Sequence, residues 1–95
     1  MTNRVRTIEI LRFLHLDETG VLDALRTEGL FLEDEVGPEG AEELRVATSL
    51  MGELGVNPAG VDVALHLRRR LACVEARLRE LLELLSDDGD QRSKR

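Results

Sequence analysis

The sequence predicts an all-α fold: a winged helix-turn-helix with a short β wing, followed by a long C-terminal coiled-coil helix. Three observations predict it. Two short amphipathic segments are joined by a tight turn, as in a helix-turn-helix. A charged extended run and a third amphipathic segment follow them. After Pro58, apolar residues recur at alternating spacings of three and four, which is the heptad pattern of a coiled coil.

The two short helices are expected to begin at residues whose side chains can cap them. Thr7 and Asp17 each carry a side-chain oxygen that can accept a hydrogen bond from an N–H group of the first turn. Gly29 is expected to end the second helix, because glycine adopts the left-handed backbone without a steric penalty. The positions predicted to face inward are Ile8, Leu11, Leu14, Val21, Leu22 and Leu25.

The wing is predicted between the second and third helices. Residues 30–32 form a short apolar run, and residues 33–37 are charged and end in glycine. This pattern predicts the stub of a β-hairpin, with Val36 as the apolar residue of its returning side. Pro38 is expected to open the third helix. The buried face of that helix is expected to consist of Leu44, Ala47, Met51 and Leu54.

A sharp break separates the third helix from the fourth. Gly55 suits the left-handed position after a helix, Asn57 can cap the next helix, and Pro58 fits its first turn. The fourth helix is expected to end near Ser86. Its heptad seam, which a lone helix cannot bury, predicts a homodimer. The predicted dimerisation residues are Leu67, Leu71, Val74, Leu78, Leu81 and Leu85. The predicted division is 1–56 for the helix-turn-helix region, 57–86 for the dimerisation helix and 87–95 for a disordered tail.

Composition excludes several classes of protein. No apolar run is long enough to span a membrane, so we expect no membrane partner. The start of the chain lacks a small-residue cleavage site, and the single cysteine, Cys73, excludes an internal disulfide. These features predict a cytoplasmic protein.

The charge distribution argues against nucleic-acid binding. The net charge is −6, and the predicted recognition helix at residues 17–28 carries four carboxylates against Arg26 alone. The wing adds Glu33, Asp34 and Glu35 where a DNA-binding wing would present basic side chains to phosphates. With only two aromatic residues, base stacking is also poorly supported.

Two segments resemble a known family. LHLDETGVLDALRTEGLF resembles the turn and second helix of MerR-type regulators, and ELGVNPAGVDVAL resembles their junction between the third and fourth helices. The junction is most similar to the CbpM-type chaperone-modulatory branch. The residues that carry this similarity are Leu54, Gly55, Val56, Asn57, Ala59, Gly60, Val61, Ala64, Leu65 and Leu67.

The resemblance implies a modulator that binds the J-domain of a DnaJ/CbpA-like co-chaperone and blocks its action on a DnaK-type (Hsp70) chaperone. An acidic surface would complement the basic helix of a J-domain. The residues predicted to bind this partner are Asp17, Glu18, Asp23, Glu28, Phe31, Glu33, Asp34 and Glu35. Phe31 is a candidate apolar anchor if exposed, and a core residue at the base of the wing otherwise.

Two other functions stay open, namely a MerR-type DNA-binding regulator and a protein that only dimerises. No phosphate-binding loop or nucleophile motif occurs, so we expect no enzyme and no cofactor. His66 and Cys73 lie seven residues apart on one helix face, and a dimer could bring two such pairs together as metal ligands. Cys73 as a small buried residue is the better interpretation, and we expect no metal site.

Overall fold

The computed structural model describes residues 3–93, with side chains as far as Ser86. The described residues form four helices and one two-stranded antiparallel sheet, which confirms a mainly helical fold. In chain order the elements are β1 (Val5–Arg6), α1 (Thr7–Phe13), α2 (Val21–Thr27), β2 (Glu35–Val36), α3 (Pro38–Glu53) and α4 (Pro58–Ser93).

The observed strand pairing differs from the pairing that the sequence predicted. Val5 lies opposite Val36 and Arg6 opposite Glu35, so β2 pairs with the segment before α1 and residues 30–32 form no strand. The predicted hairpin is therefore wrong. Phe31 has a φ of 52°, a left-handed backbone that interrupts an extended run.

Thr7 joins the sheet to α1 by a contact that replaces its predicted capping role. Its backbone N–H donates to the Asp34 carbonyl at 2.9 Å, and its hydroxyl donates to the same oxygen at 3.4 Å. The residue at the N-cap is Arg6, which makes no side-chain capping bond. Thr7 is buried, and its hydroxyl can be buried at little cost because it bonds the segment that follows α2.

The turn between α1 and α2 is longer than predicted. α1 ends with a Schellman arrangement, in which the Leu16 N–H donates to the Leu11 carbonyl at 2.8 Å. The Thr19 hydroxyl then closes a turn on the Leu16 carbonyl at 2.6 Å, and Gly20 adopts a φ of 75°. A helix cannot continue through a left-handed residue, so α2 begins at Val21 and the predicted cap at Asp17 is wrong.

One hydrophobic core brings the four helices together. Its buried residues are Leu11, Leu25, Leu30, Leu44, Ala47, Val61 and Leu65. Leu54, predicted to face inward, is 72% exposed because α3 ends at Glu53 and Leu54 is its C-cap. Val61 and Leu65 come from the start of α4, so the compact N-terminal unit continues past the predicted boundary at residue 56 and ends at Leu65. The C-terminal unit begins at His66.

The α3–α4 junction follows the prediction closely. Gly55 has a φ of 67°, and the Asn57 side-chain oxygen accepts a hydrogen bond from the Gly60 N–H at 2.8 Å, which confirms the predicted cap. Val56 packs against the core just before the cap, and Val61 is buried four residues after it, the positions of a hydrophobic staple. Four of the residues that carry the family resemblance, Gly55, Val56, Asn57 and Val61, therefore have structural roles at this junction.

Gly60→Ala is expected to destabilise the chain although alanine is the better helix former. A Cβ at Gly60 would lie 2.7 Å from Val56 Cγ1, and a valine against the core has little freedom to move away. We expect a net loss of about 1–2 kcal/mol in the free energy of unfolding, since overpacking outweighs the gain in helix propensity. Denaturant unfolding followed by circular dichroism measures it.

The matched control is Gly52→Ala. Gly52 lies in α3, and a Cβ there would meet no atom within 4 Å. This variant is expected to be more stable than the parent by about 0.5–1 kcal/mol. Two variants that shift stability in the same direction would contradict the steric role of Gly60.

α4 is assigned through Ser93, beyond the end expected near Ser86. The side chains after Ser86 lie outside the described part of the chain, and so do residues 94 and 95. The backbone of residues 87–93 therefore belongs to α4, where the sequence predicted a disordered tail over 87–95, and the prediction is untested for residues 94 and 95. None of the described helices combines the length and the apolar character that a membrane span requires.

Candidate protein-interaction site

The N-terminal unit carries most of the negative charge of the chain. Residues 1–65 contain five arginines and thirteen Asp or Glu residues, a formal charge of −8, whereas residues 66–95 carry +2. Such an excess produces a negative potential over the unit, which repels phosphate and attracts cationic partners. Which carboxylates contribute to it depends on how the arginines are engaged.

Two arginines are engaged by the acidic turn formed by residues 33–35. Arg4 on the β1 side lies 3.2 Å from the Glu33 carboxylate and 3.8 Å from that of Glu35, and it donates to the Glu35 carbonyl at 2.8 Å. Arg26 of α2 lies 3.4 Å from the Asp34 carboxylate. The acidic turn is therefore partly neutralised by arginines of its own unit.

Arg26 lies in α2, which overlaps the predicted recognition helix, and its side chain binds the segment that follows α2. A DNA-binding helix would direct such a side chain at DNA. The Arg26 Nε donates to the Phe31 carbonyl at 2.9 Å, and its Nη2 lies 3.5 Å from the Glu33 carbonyl. Two donors of one guanidinium thus hold the segment after α2, including the left-handed Phe31. The sequence identified Arg26 as the one basic residue of this helix but did not reveal what it binds.

The two remaining paired arginines bond within their own helices. Arg12 lies 2.8 Å from Glu9 in α1, and Arg45 lies 2.6 Å from Glu42 in α3. The side-chain hydrogen bond to Glu42 raises the pKa of Arg45 above its ordinary value. Asp17 is a more distant partner of Arg12, at 3.9 Å. Arg6 is the one arginine of the N-terminal unit that makes no ion pair with any described residue.

Three of the predicted partner-binding carboxylates keep their charge uncompensated. Glu18 precedes α2, Asp23 lies within it and Glu28 follows it, and all three are exposed. None of them forms an ion pair with another described residue. We call this group the α2 carboxylates. They differ from the acidic turn, whose charge is already opposed by Arg4 and Arg26.

The exposed phenylalanine of the N-terminal unit is Phe13 and not Phe31, the candidate anchor named from the sequence. Phe31 is half-buried and packs against the core, so it is not an exposed anchor. Phe13, at the end of α1, is 83% exposed. A signal for this was present, because Phe13 lies off the face formed by Ile8 and Leu11.

Phe13 borders an apolar groove between α1 and α3. The groove, which we call the Phe13 groove, has a volume of about 270 Å³. It is lined by Ile10, Phe13, Leu14, Pro38, Ala41, Glu42 and Arg45. It lies entirely within the N-terminal unit.

The predicted dimerisation residues form an exposed seam on α4. Leu67, Leu71, Val74, Leu78, Leu81 and Leu85 are each between 54% and 65% exposed. Leu82 and Leu84, at 54% and 62%, widen the apolar surface near its end. Contiguous apolar surface of this kind marks an interaction site. We keep the name heptad seam for the six predicted residues.

The described residues contain no cluster that could bind a metal ion, because no three His, Cys, Asp or Glu side chains among them lie close enough to hold one. Cys73 is exposed, so its predicted burial is wrong for the chain as described. Three surfaces of the described residues are candidate protein-interaction sites: the α2 carboxylates, the Phe13 groove and the heptad seam.

The comparisons with known proteins identify no relative: no family model, no curated protein and no solved structure matches this chain significantly.

Proposed function

We propose that this chain is a non-enzymatic modulator that binds the J-domain of a DnaJ/CbpA-like co-chaperone and hinders its action on a DnaK-type chaperone. In this proposal the N-terminal unit is a MerR-like winged helix-turn-helix reused for protein contact. The α2 carboxylates meet the basic helix of the J-domain. The heptad seam joins two copies of the chain into a homodimer.

The observation that carries the proposal is the engagement of the arginines. Arg4, Arg12, Arg26 and Arg45 all bind carboxylates of their own unit, while Glu18, Asp23 and Glu28 do not bind any described cation. The surface around α2 is therefore negative in the folded chain and not only in its composition. Complementary potentials of this kind accelerate association and select cationic partners.

A MerR-type DNA-binding regulator is the second candidate, and the order of α1, α2 and β2 favours it. Against it stands the electrostatics of phosphate contact. Of the arginines in the N-terminal unit, Arg6 alone makes no described ion pair, whereas a DNA-binding protein commonly makes about 6–10 phosphate contacts. DNA binding would require Arg4 and Arg26 to leave the acidic turn that they hold.

Reversing the α2 carboxylates tests the proposal. The variant Glu18→Lys, Asp23→Lys, Glu28→Lys is expected to bind the J-domain at least about tenfold more weakly at low salt, because like charges now face each other. The difference should shrink in about 1 M salt, where the screening length falls to about 3 Å. Titration calorimetry with the isolated J-domain of a DnaJ/CbpA-like co-chaperone provides the measurement.

The matched control changes the net charge equally at other exposed positions: Glu53→Lys, Glu80→Lys, Glu83→Lys. It should bind the J-domain nearly as well as the parent. A duplex from the region upstream of the gene is titrated in parallel. Equal weakening by both variants would remove the α2 carboxylates from the contact. Salt-sensitive binding of the duplex, without binding of the J-domain, would favour the DNA-binding regulator.

A further inference from the structure

The Phe13 groove is an exposed apolar feature of the N-terminal unit, formed where α1 and α3 lie side by side. Phe13 and Leu14 contribute the end of α1, and Pro38 and Ala41 contribute the start of α3. Phe13 is 83% exposed at the edge of the groove, so its ring is available for burial against a partner.

The lining of the groove suits an apolar side chain. Its volume is about 270 Å³. The polar groups in its lining belong to Glu42 and Arg45, which bond each other and so do not converge on a ligand. Grooves of this kind accept the apolar face of an amphipathic helix.

The charges around the groove select the helix that would fit. Glu39, next to Pro38 in the first turn of α3, is exposed and makes no described ion pair. The arginines of α1 and α3, Arg12 and Arg45, are paired with Glu9 and Glu42. The charges of the two helices that form the groove therefore favour an incoming lysine or arginine over an acidic side chain. The whole unit, at −8, adds to this preference.

We propose that the Phe13 groove receives an apolar side chain from a basic amphipathic helix of the J-domain partner, and that Phe13 is the apolar anchor of that interface. This inference rests on the proposed function and divides its interface in two. The α2 carboxylates supply attraction that depends on salt, and the groove supplies burial that does not. Aromatic anchors that become buried at the centre of an interface commonly contribute most of its binding energy.

Phe13→Ser is expected to weaken J-domain binding by about tenfold or more, which is the usual consequence of removing an aromatic hot spot. Because no charge changes, the slope of log Kd against log salt should stay at its parental value, unlike the slope of the α2 charge-reversal variant. Ala41→Lys, which places a cation and a longer side chain in the groove, should weaken binding as well. Circular dichroism checks that both variants fold.

The matched control is Leu32→Ser. Leu32 is also an exposed apolar residue of the N-terminal unit, at 64%, and it does not line the groove. Its affinity should stay within about twofold of the parent, as for most residues outside a hot spot. If Phe13→Ser also stays within that range while the parent binds, the groove proposal fails and the proposed function stands. A parent chain that does not bind the J-domain overturns both. A change in solution mass without a change in affinity would assign the groove to a second copy.

Discussion

Changing Leu71 and Leu78 to lysine is expected to dissociate the proposed homodimer into monomers. Both residues belong to the heptad seam and are 57% and 55% exposed in the single chain. In a paired coiled coil each would become a core residue, where a lysine ammonium loses its hydration without gaining a partner. Sedimentation velocity over a range of concentrations should show the solution mass halved.

The structure also makes this experiment interpretable. The core of the N-terminal unit contains no seam residue, so the double variant should keep the helices that pack on that core. The control variant, Ala72→Lys with Ser86→Lys, adds the same two positive charges beside the seam. Both positions are exposed. The control should stay dimeric. A dimer that persists after both seam substitutions would show that α4 does not form the interface.

Leu65→Ala and Leu67→Ala are expected to differ widely although the two leucines are neighbours in one helix. Leu65 is fully buried among Leu11, Leu25 and Leu44, whereas Leu67 is 62% exposed. Truncating a buried leucine costs about 2–5 kcal/mol, through lost burial and the cavity left behind. That is a large part of the roughly 5–15 kcal/mol that stabilises a typical domain.

Leu67→Ala should change the free energy of unfolding of the single chain by less than about 0.5 kcal/mol, as is usual for exposed positions. Because Leu67 also belongs to the heptad seam, both substitutions are best compared in the monomeric background of Leu71→Lys and Leu78→Lys. Denaturant unfolding then reports on the N-terminal unit alone. Equal losses at the two positions would mean that Leu65 does not join α4 to the core as the structure indicates.

The candidate site was only partly predictable. Residue types were sufficient to show a negative N-terminal unit, and all the predicted carboxylates lie at its surface. Composition does not reveal which of them are opposed by an arginine. Arg4 lies 29 residues from Glu33 and Arg26 lies 8 from Asp34, and only folding brings these pairs together. The exposure of Phe13 likewise depends on how α1 packs against α3.

The sequence by itself determined the features that depend on neighbouring residues. The Asn57 cap, the left-handed Gly55 and the heptad spacing of α4 arise from interactions within a few positions, so local patterns reveal them. The tertiary structure alone decided that β2 pairs with β1, that Leu65 enters the core while Leu67 does not, and that Phe31 packs inward. These outcomes depend on which distant segments fill the same volume, and close packing admits only one arrangement of them.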